Sequence, residues 1–420
     1  MKNTLPTLLF VVFASTAVEN RLHAQVPPGQ GVRFSQSNQA PGIEFIDVIG
    51  GSGVAVPVTG LPANRRDFNG GILDPVTGDL YAVGSDNVGT AGVLFRIELN
   101  GNAVQALIPL VDTGSTYSLS SSVFDRDGNI FIHDLETIWR VDRNSGALTL
   151  WDTQVAGQGA WNSLTVDRER NLMWTVSCST AGLPGSVIQE YDLELGPGPG
   201  TVIFDGLANG WPTCPTGIDH DENGVLYVST FLFSGDVAAL FQYDTNNGTA
   251  MPVPGGPNHS LNDVWYDRQH GHLHMTGAIT STAWERLDLS TGTLTLIQSG
   301  FGGFFTPVTS AIALNDTLHR TTMFPHQASS AIGATIEVAA HGLAGEQAAV
   351  LMTSLNGSPL QPPRILASGS CDDGGYFTLT KSFAPGALPA NTTVGITAGV
   401  LDSVSGLKIL GEEKILTILP

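Results

Sequence analysis

The chain has 420 residues, and 18 Lys and Arg against 38 Asp and Glu give a formal charge of −20. Charged residues make up only 13% and glycine fills 50 positions, a balance that suits a turn-rich β protein of two or three domains. The negative excess argues against a nucleic acid or an anionic membrane as partner, since both would be repelled, and favours neutral or cationic ligands and divalent metals.

In chain order, the first expected segment is an export signal over residues 1–24. Lys2 supplies the positive start, Leu5 to Val18 a short apolar run, and Ala17 and Ala24 the small residues that precede a cut. That run is too short to span a bilayer, and no later stretch reaches about 18 uninterrupted apolar residues. The expectation is a soluble periplasmic or secreted protein with no membrane span.

From residue 25 to 326 one phrase recurs: an apolar strand, an Asp-led turn, a second strand, then two more strands around another turn. Its markers begin at Asp74, Asp125, Asp167, Asp219 and Asp267. A period of about 40 to 50 residues with four strands per unit is the signature of a β-propeller. Complete units run from about Gly70 to Leu110, Ser120 to Trp151, Asn162 to Leu207, Thr216 to Gly255 and Leu261 to Ser299. Ile43 to Val58 reads as the last two strands of a further blade, and Thr309 to Leu314 as its inner strand. Pairing them would close a six-bladed ring and remove exposed edges. A seventh blade requires a short unit between Gly300 and Phe324. Residues 327–420 lose the period and read as a small β-sandwich accessory domain.

Three cysteines permit one pair at most. Cys178 follows the second strand of the third unit and Cys214 precedes the first strand of the fourth. Those points share a face of neighbouring blades, so a Cys178–Cys214 disulfide is expected in an exported chain, with Cys371 single.

In such a ring the inner strands start, and the second strands end, around one channel mouth. Inner-strand starts offer Asn69, Ser120, Asn162, Thr216, Asn262 and Asp263; second-strand ends offer Ser85, Asp86, His133, Asp134, Ser229, Thr230 and Thr276. The set is rich in oxygen donors and holds no Lys or Arg, which suits a hard cation. Asn and Asp at strand ends also commonly just satisfy turns. His133 with the adjacent Asp134 is the best acid–base pair on that face. His259 is a lesser candidate, and His220 and His270 fall in turns on the opposite face. Asp219-x-Asp221-x-Asn223-Gly224 matches half of a calcium loop, but Thr230 stands where its Glu belongs, so it reads as a hairpin turn. Trp151, Trp161, Trp211, Trp265 and Trp284 could stack on sugars but more often fill the wedge between blades.

Two motifs carry a resemblance. Asn262-Asp263-Val264 before Tyr266-Asp267 is similar to an Asn-Asp-Gly motif, and Asn162-Ser163-Leu164 before Asp167 to an Asn-Gly-Leu motif, of the gluconolactonase and regucalcin family. These are six-bladed calcium-dependent propeller hydrolases, and the paraoxonases are more distant counterparts. The resemblance implies one central Ca2+, held in that family by a Glu, two Asn and an Asp, that polarises a lactone carbonyl. It suggests Asn162 and Asn262 as ligands. This chain has Thr216 where the family has its Asp, Glu44 is the nearest candidate for the Glu, and Asp263 would supply the missing carboxylate. The resulting expectation is an exported calcium-dependent hydrolase that opens a lactone or related cyclic ester, with His133 or Asp134 taking the proton. The alternatives are a non-catalytic binding propeller for a polysaccharide or protein, and a propeller lyase.

Overall fold

A computed structural model describes residues 26, 30–35, 42–47, 53–56, 65–86, 92–100, 103–115, 119–154, 160–178, 187–206, 209, 214–231, 239–277, 283–298, 311–314, 320–406 and 408–420. The expected export segment, residues 1–24, lies outside them.

Local chemistry sets the repeat. In each of five hairpins an Asp ends or follows the inner strand, and its Oδ1 accepts backbone N–H groups of the turn. Asp74 takes Val76 at 2.8 Å, Asp125 takes Asp127 at 2.9 Å, Asp167 takes Glu169 at 2.9 Å, Asp221 takes Asn223 at 2.9 Å and Asp267 takes Gln269 at 2.9 Å. These Asx turns satisfy the donors that a reversing chain would otherwise leave open. In the fourth unit the turn is built on Asp221 rather than on the leading Asp219, and the half calcium loop is thus a hairpin turn.

Six four-stranded antiparallel sheets result, and they form a six-bladed β-propeller. Blade 1 comprises Arg65–Leu73, Leu80–Asp86, Gly92–Asn100 and Ala103–Asp112; blade 2, Ser121–Phe124, Ile130–His133, Thr137–Val141 and Leu148–Thr153. Blade 3 comprises Ala160–Asp167, Leu172–Cys178, Val187–Asp192 and Thr201–Asp205; blade 4, Pro215–His220, Val225–Thr230, Leu240–Asp244 and Thr249–Pro252. Blade 5 comprises Leu261–Asp267, His272–Gly277, Trp284–Asp288 and Thr293–Gln298. The closing blade joins the late strand Ala311–Leu314 to Gln30–Ser35, Gly42–Asp47 and Gly53–Val56, with Gly31 opposite Leu314. The early chain thus gives this blade three strands, one more than the sequence pattern suggested. The inner strands adjoin one another in order around the ring.

The core lies in the wedges between blades. Trp151 and Phe131 of blade 2 pack with Trp161, Leu164 and Met173 of blade 3. Trp174 and Ile188 of blade 3 meet Ile218, Val228 and Phe241 of blade 4, and Leu240 of blade 4 meets Val264 and Met275 of blade 5. Trp151, Trp161 and Trp284 are buried, so they serve packing rather than sugar stacking. One ion pair is sunk between blades: Arg143 of blade 2 reaches Asp74 of blade 1, with 6% and 1% of their side chains exposed.

The remaining strands form a second compact unit, with the chain dividing at residues 318/319. A three-stranded sheet (Thr321–Phe324, Ala334–His341, Tyr376–Phe383) accompanies a six-stranded one built on Gln347–Leu355, Ser358–Ser370, Thr393–Leu401 and Lys414–Leu419, with Gln327–Ser329 and Lys408–Leu410 at its margins. Ile336, Val338, Val350, Ile396 and Leu416 fill the sandwich core. Thr321–Phe324 pairs with Ala334–His341 inside this unit, ahead of the boundary expected at residue 326. Cys371 is free and buried here, its thiol pushed up to about 12 by burial and by Asp372 and Glu346.

Replacing Arg143 with Ala would leave the Asp74 carboxylate buried and uncompensated, at a cost of about 3–5 kcal/mol. Urea unfolding of Arg143→Ala should show that loss; an unchanged midpoint would mean the pair does not fasten blades 1 and 2.

Candidate functional site

At the channel mouth the inner strands share an irregularity. Register shifts fall between Phe68 and Gly70, Trp161 and Ser163, Pro215 and Gly217, and Leu261 and Asp263. Each is a β-bulge, which leaves one residue unpaired and re-aims its side chain. The bulged residues are Asn69, Asn162, Thr216 and Asn262. Three of them reach the next blade: Asn69 Nδ2 donates to Leu119 O at 2.9 Å, Asn162 Nδ2 to Pro215 O at 2.7 Å, and Thr216 Oγ1 to Leu261 O at 2.9 Å. Asn262 Nδ2 donates to Gly277 O within its own blade at 3.2 Å. The side chains that resemble calcium ligands are therefore also staples between strands. Asn262 and Asp263 share one strand, whereas Asn162 sits two blades away with Thr216 between them. The side chains of Glu44, Ser85 and Asp86 lie outside the described residues.

His133 and Asp134 adjoin in sequence, but their side chains do not pair. His133 Nδ1 donates to the backbone oxygen of Asp134 at 2.8 Å, which puts the remaining lone pair on Nε2. That Nε2 is buried and has no hydrogen-bond partner among the described residues. Burial drives the His133 pKa down to about 4, against the opposing pull of Asp134. The ring is therefore neutral at pH 7 and fully enclosed. Asp134 Oδ1 caps Glu136 and Thr137 N–H groups, both at 2.7 Å, and its Oδ2 accepts from the Ser115 hydroxyl. As placed, the pair performs the work of a turn.

Two carboxylates near the axis are driven in opposite directions. Asp219 Oδ1 accepts from Thr165 Oγ1 of blade 3 at 2.9 Å, and its Oδ2 from the Tyr266 N–H of blade 5 at 2.7 Å. Burial alone would raise its pKa, yet Arg268, 3.6 Å away, together with His220 and the Tyr266 N–H, holds it well below the usual carboxylate range. This one side chain clamps three blades. Asp263 has no such cation among the described residues. Burial pushes its carboxyl well above the usual range; the Val264 N–H at 2.9 Å opposes this and the Asp219 charge adds to it. It leans on Gly217 of blade 4: a Cβ there would collide with Asp263 Oδ1, approach its Cα to 2.7 Å and meet Ser229 Oγ at 2.7 Å. Sequence reasoning singled out Asp263 but passed over Asp219 as a mere turn residue; nothing in an Asp-His-Asp-Glu run reveals that its first carboxylate leaves the turn.

Cys178 ends the second strand of blade 3 opposite Ala160, while Asn162 contacts Cys214 Sγ at 4.0 Å. The Cys178 side chain is outside the described residues.

No protein-family model matches the chain, and no curated protein matches it. Solved structures do. A chain from a nidogen/laminin complex is similar over 68% of this chain and 99% of its own, with TM-score 0.50 and 14% identity. A protein of unknown function from Bacteroides thetaiotaomicron aligns over 68% of this chain and 74% of its own, at TM-score 0.44 and 12% identity. A catalytically inactive virginiamycin B lyase variant from Staphylococcus aureus, with quinupristin, aligns over 65% and 86%, at TM-score 0.41 and 15% identity. At 14% identity and TM-score 0.50, the likeness to the first of these is one of fold alone.

Two outcomes follow for the mouth. Gly217→Ala should displace Asp263 and cost about 1–3 kcal/mol; a neutral result in thermal unfolding would contradict the packing described. Because the folded pKa of Asp263 is raised, its favourable contribution is complete below the unfolded carboxylate pKa and is lost as pH rises. Asp263→Asn should thus stabilise the chain at pH 8 and not at pH 4. For His133 the folded pKa is depressed, so the unfolded chain takes up a proton first as pH falls from 6.5 toward 4, costing about 3 kcal/mol. His133→Asn should flatten that part of the stability–pH curve.

Proposed function

We propose that the propeller is a binding module, and that Asp263 at the start of the blade 5 inner strand receives a positive charge or a hydrogen-bond donor of the ligand. One observation supports this reading above the others: near the start of the blade 5 inner strand, a carboxyl disfavoured as an anion by its surroundings has no Lys or Arg against it among the described residues, in a chain of charge −20. A carboxyl held in that state gains most from a partner that supplies a donor or a cation, since either replaces the solvation it has lost. The neutral, enclosed imidazole of His133 and the fully bonded carboxylate of Asp134 favour recognition over proton transfer. The fold hosts many ligands on one scaffold, and a polysaccharide or protein with cationic or donor-rich groups fits this mouth.

Calcium-dependent opening of a lactone or cyclic ester is the second reading, and one feature favours it. Asn162 turns its Nδ2 to Pro215, so Oδ1 is the atom left to face an ion. Under that reading Asn162, Asn262 and Asp263 would hold Ca2+, which supplies the electrophile for the carbonyl. The module would act outside the cytoplasm, where a Cys178–Cys214 bridge is chemically reasonable. The pairing is supported by the Cys214 contact with Asn162, two residues from the partner of Cys178.

The deciding experiment pairs a glycan and peptide binding panel with a lactone and ester screen, each run with and without a chelator. The binding reading expects retention of a ligand by the parent, at least about tenfold weaker in Asp263→Asn, and no turnover. Chelator-sensitive hydrolysis lost in Asn262→Ala would replace it with the second reading, and unaltered binding by Asp263→Asn would remove Asp263 from the site. Separately, non-reducing peptide mapping should recover a Cys178–Cys214 crosslink and an unmodified Cys371.

A further inference from the structure

The hairpin turns of the blades use both carboxylate oxygens of their Asp. In blades 1 to 3, Oδ1 caps the turn while Oδ2 meets a permanent cation: Arg143 at Asp74, Arg140 at Asp125 and Arg170 at Asp167; in blade 4, Asp221 Oδ2 accepts from the Asn223 amide at 3.4 Å. Blade 5 departs from this pattern. Asp267 Oδ2 accepts from His270 Nδ1 at 2.7 Å and faces His274 Nε2 at 3.7 Å. His272 sits directly opposite Asp267 in the ladder, and its ring stacks on that of His270 with centroids 5.7 Å apart. One donor atom each from Asp267, His270 and His272 lies within 4.8 Å of the other two. Three titratable metal-binding groups therefore occupy the place where blades 1 to 3 put a guanidinium.

A second, independent feature points into the cluster. His274 is fully buried, and Trp284 Nε1–H donates to its Nδ1 at 3.0 Å. An indole can only donate, so Nδ1 carries the lone pair and the proton sits on Nε2. Among the described residues that Nε2 has no hydrogen-bond partner within 3.5 Å, and the carboxylate of Asp267, at 3.7 Å, is the group in front of it. A buried N–H aimed at a carboxylate is one way in which metal-binding carboxylates are oriented by their surroundings.

We propose that Asp267, His270 and His272 form a transition-metal site of the Zn2+ class on the hairpin of blade 5, with His274 as its positioning residue. Two imidazoles and one carboxylate suit Zn2+, Ni2+ or Cu2+ rather than Ca2+ or Mg2+, and three protein ligands leave a position for water. The other charges close by are Asp288, opposite His272 in the next strand, and Arg286, opposite His274. Arg268 turns away toward Asp219 and His220. With Asp267 and Asp288 against Arg286, the neighbourhood keeps one net negative charge for an incoming cation. The site belongs to the hairpin end of the inner strand, four residues along from Asp263 and thus about 13 Å from the mouth.

The test uses the untagged full chain, dialysed against a chelator and titrated with Zn2+ by calorimetry. One equivalent should bind, and saturating Zn2+ should raise the melting temperature. His270→Gln and His272→Gln alter half-exposed side chains and should fold, yet each should lose at least about tenfold in affinity together with the thermal shift. A parent that binds no Zn2+, or two glutamine variants that bind as the parent does, overturns the site. For His274, Co2+ replaces Zn2+ as a spectroscopic probe. His274→Gln should weaken the metal about 10–100-fold and alter the visible Co2+ absorption. An unaltered Co2+ spectrum and affinity, with stability alone reduced, would remove its positioning role.

Discussion

A four-stranded sheet has two faces, and in this propeller neither can be left to water. Trp161 and Met173 on one side of blade 3, and Trp174 and Ile188 on the other, need a blade against each face. At about 25 cal/mol per Å2 of apolar surface removed from water, that mutual burial contributes most to holding the ring together. A linear stack would leave its two end blades uncovered. The pairing of Ala311–Leu314 with Gln30–Ser35 removes that problem by making one blade from both ends of the propeller sequence. Apolar wedges are non-directional, however, and would let blades slide. Directional bonds at two levels oppose this: the bulged Asn69, Asn162 and Thr216 tie neighbouring blades at the mouth, and the Asp219 clamp ties blades 3, 4 and 5 deeper along the inner strands.

That architecture limits what chemistry the mouth can host. Polar side chains cluster there because inner strands converge, but convergence also consumes them. A buried amide or hydroxyl must be paired, and the nearest acceptor is the carbonyl of the next blade. What is left over is informative. Asp219 and Asp263 lie close enough to sense each other, and their surroundings push them apart, one toward permanent charge and one toward the protonated acid. Asp263, the one with no cation beside it among the described residues, costs the fold stability when ionised, and such a cost is what a binding group commonly carries.

The repeat was readable from the sequence because it is written in turn chemistry: Asp74, Asp125, Asp167 and Asp267 each mark a hairpin where the structure has one. Other features left weaker traces. Gln30–Ser35 pairs with strands from both ends of the ring, and its short pattern carries no turn marker. Ser358–Ser370 contains three prolines and so reads as a loop, yet it is an edge strand, where missing N–H donors are tolerated. At the site, residue types were legible and their employment was not. An Asn at a strand start looks the same whether its amide faces an ion or a carbonyl, and the bulge that decides between them has no sequence signature here. His270 falls in a turn on the face opposite the mouth, which excludes it from the mouth but not from a site of its own. The run Asp267, His270, His272, His274 could have been found from its alternation alone, since His272 and His274 fall on one face of a strand.

At the mouth Asn69 and Asn162 act as fasteners between neighbouring blades. The most direct test of that role is thermal unfolding of Asn162→Ala against the parent, measured once in excess Ca2+ and once in chelator. A fastener predicts the same loss in both, about 1 kcal/mol for an interblade hydrogen bond. A loss that appears with Ca2+ and vanishes with chelator would show that Asn162 serves an ion, and would contradict the fastening role.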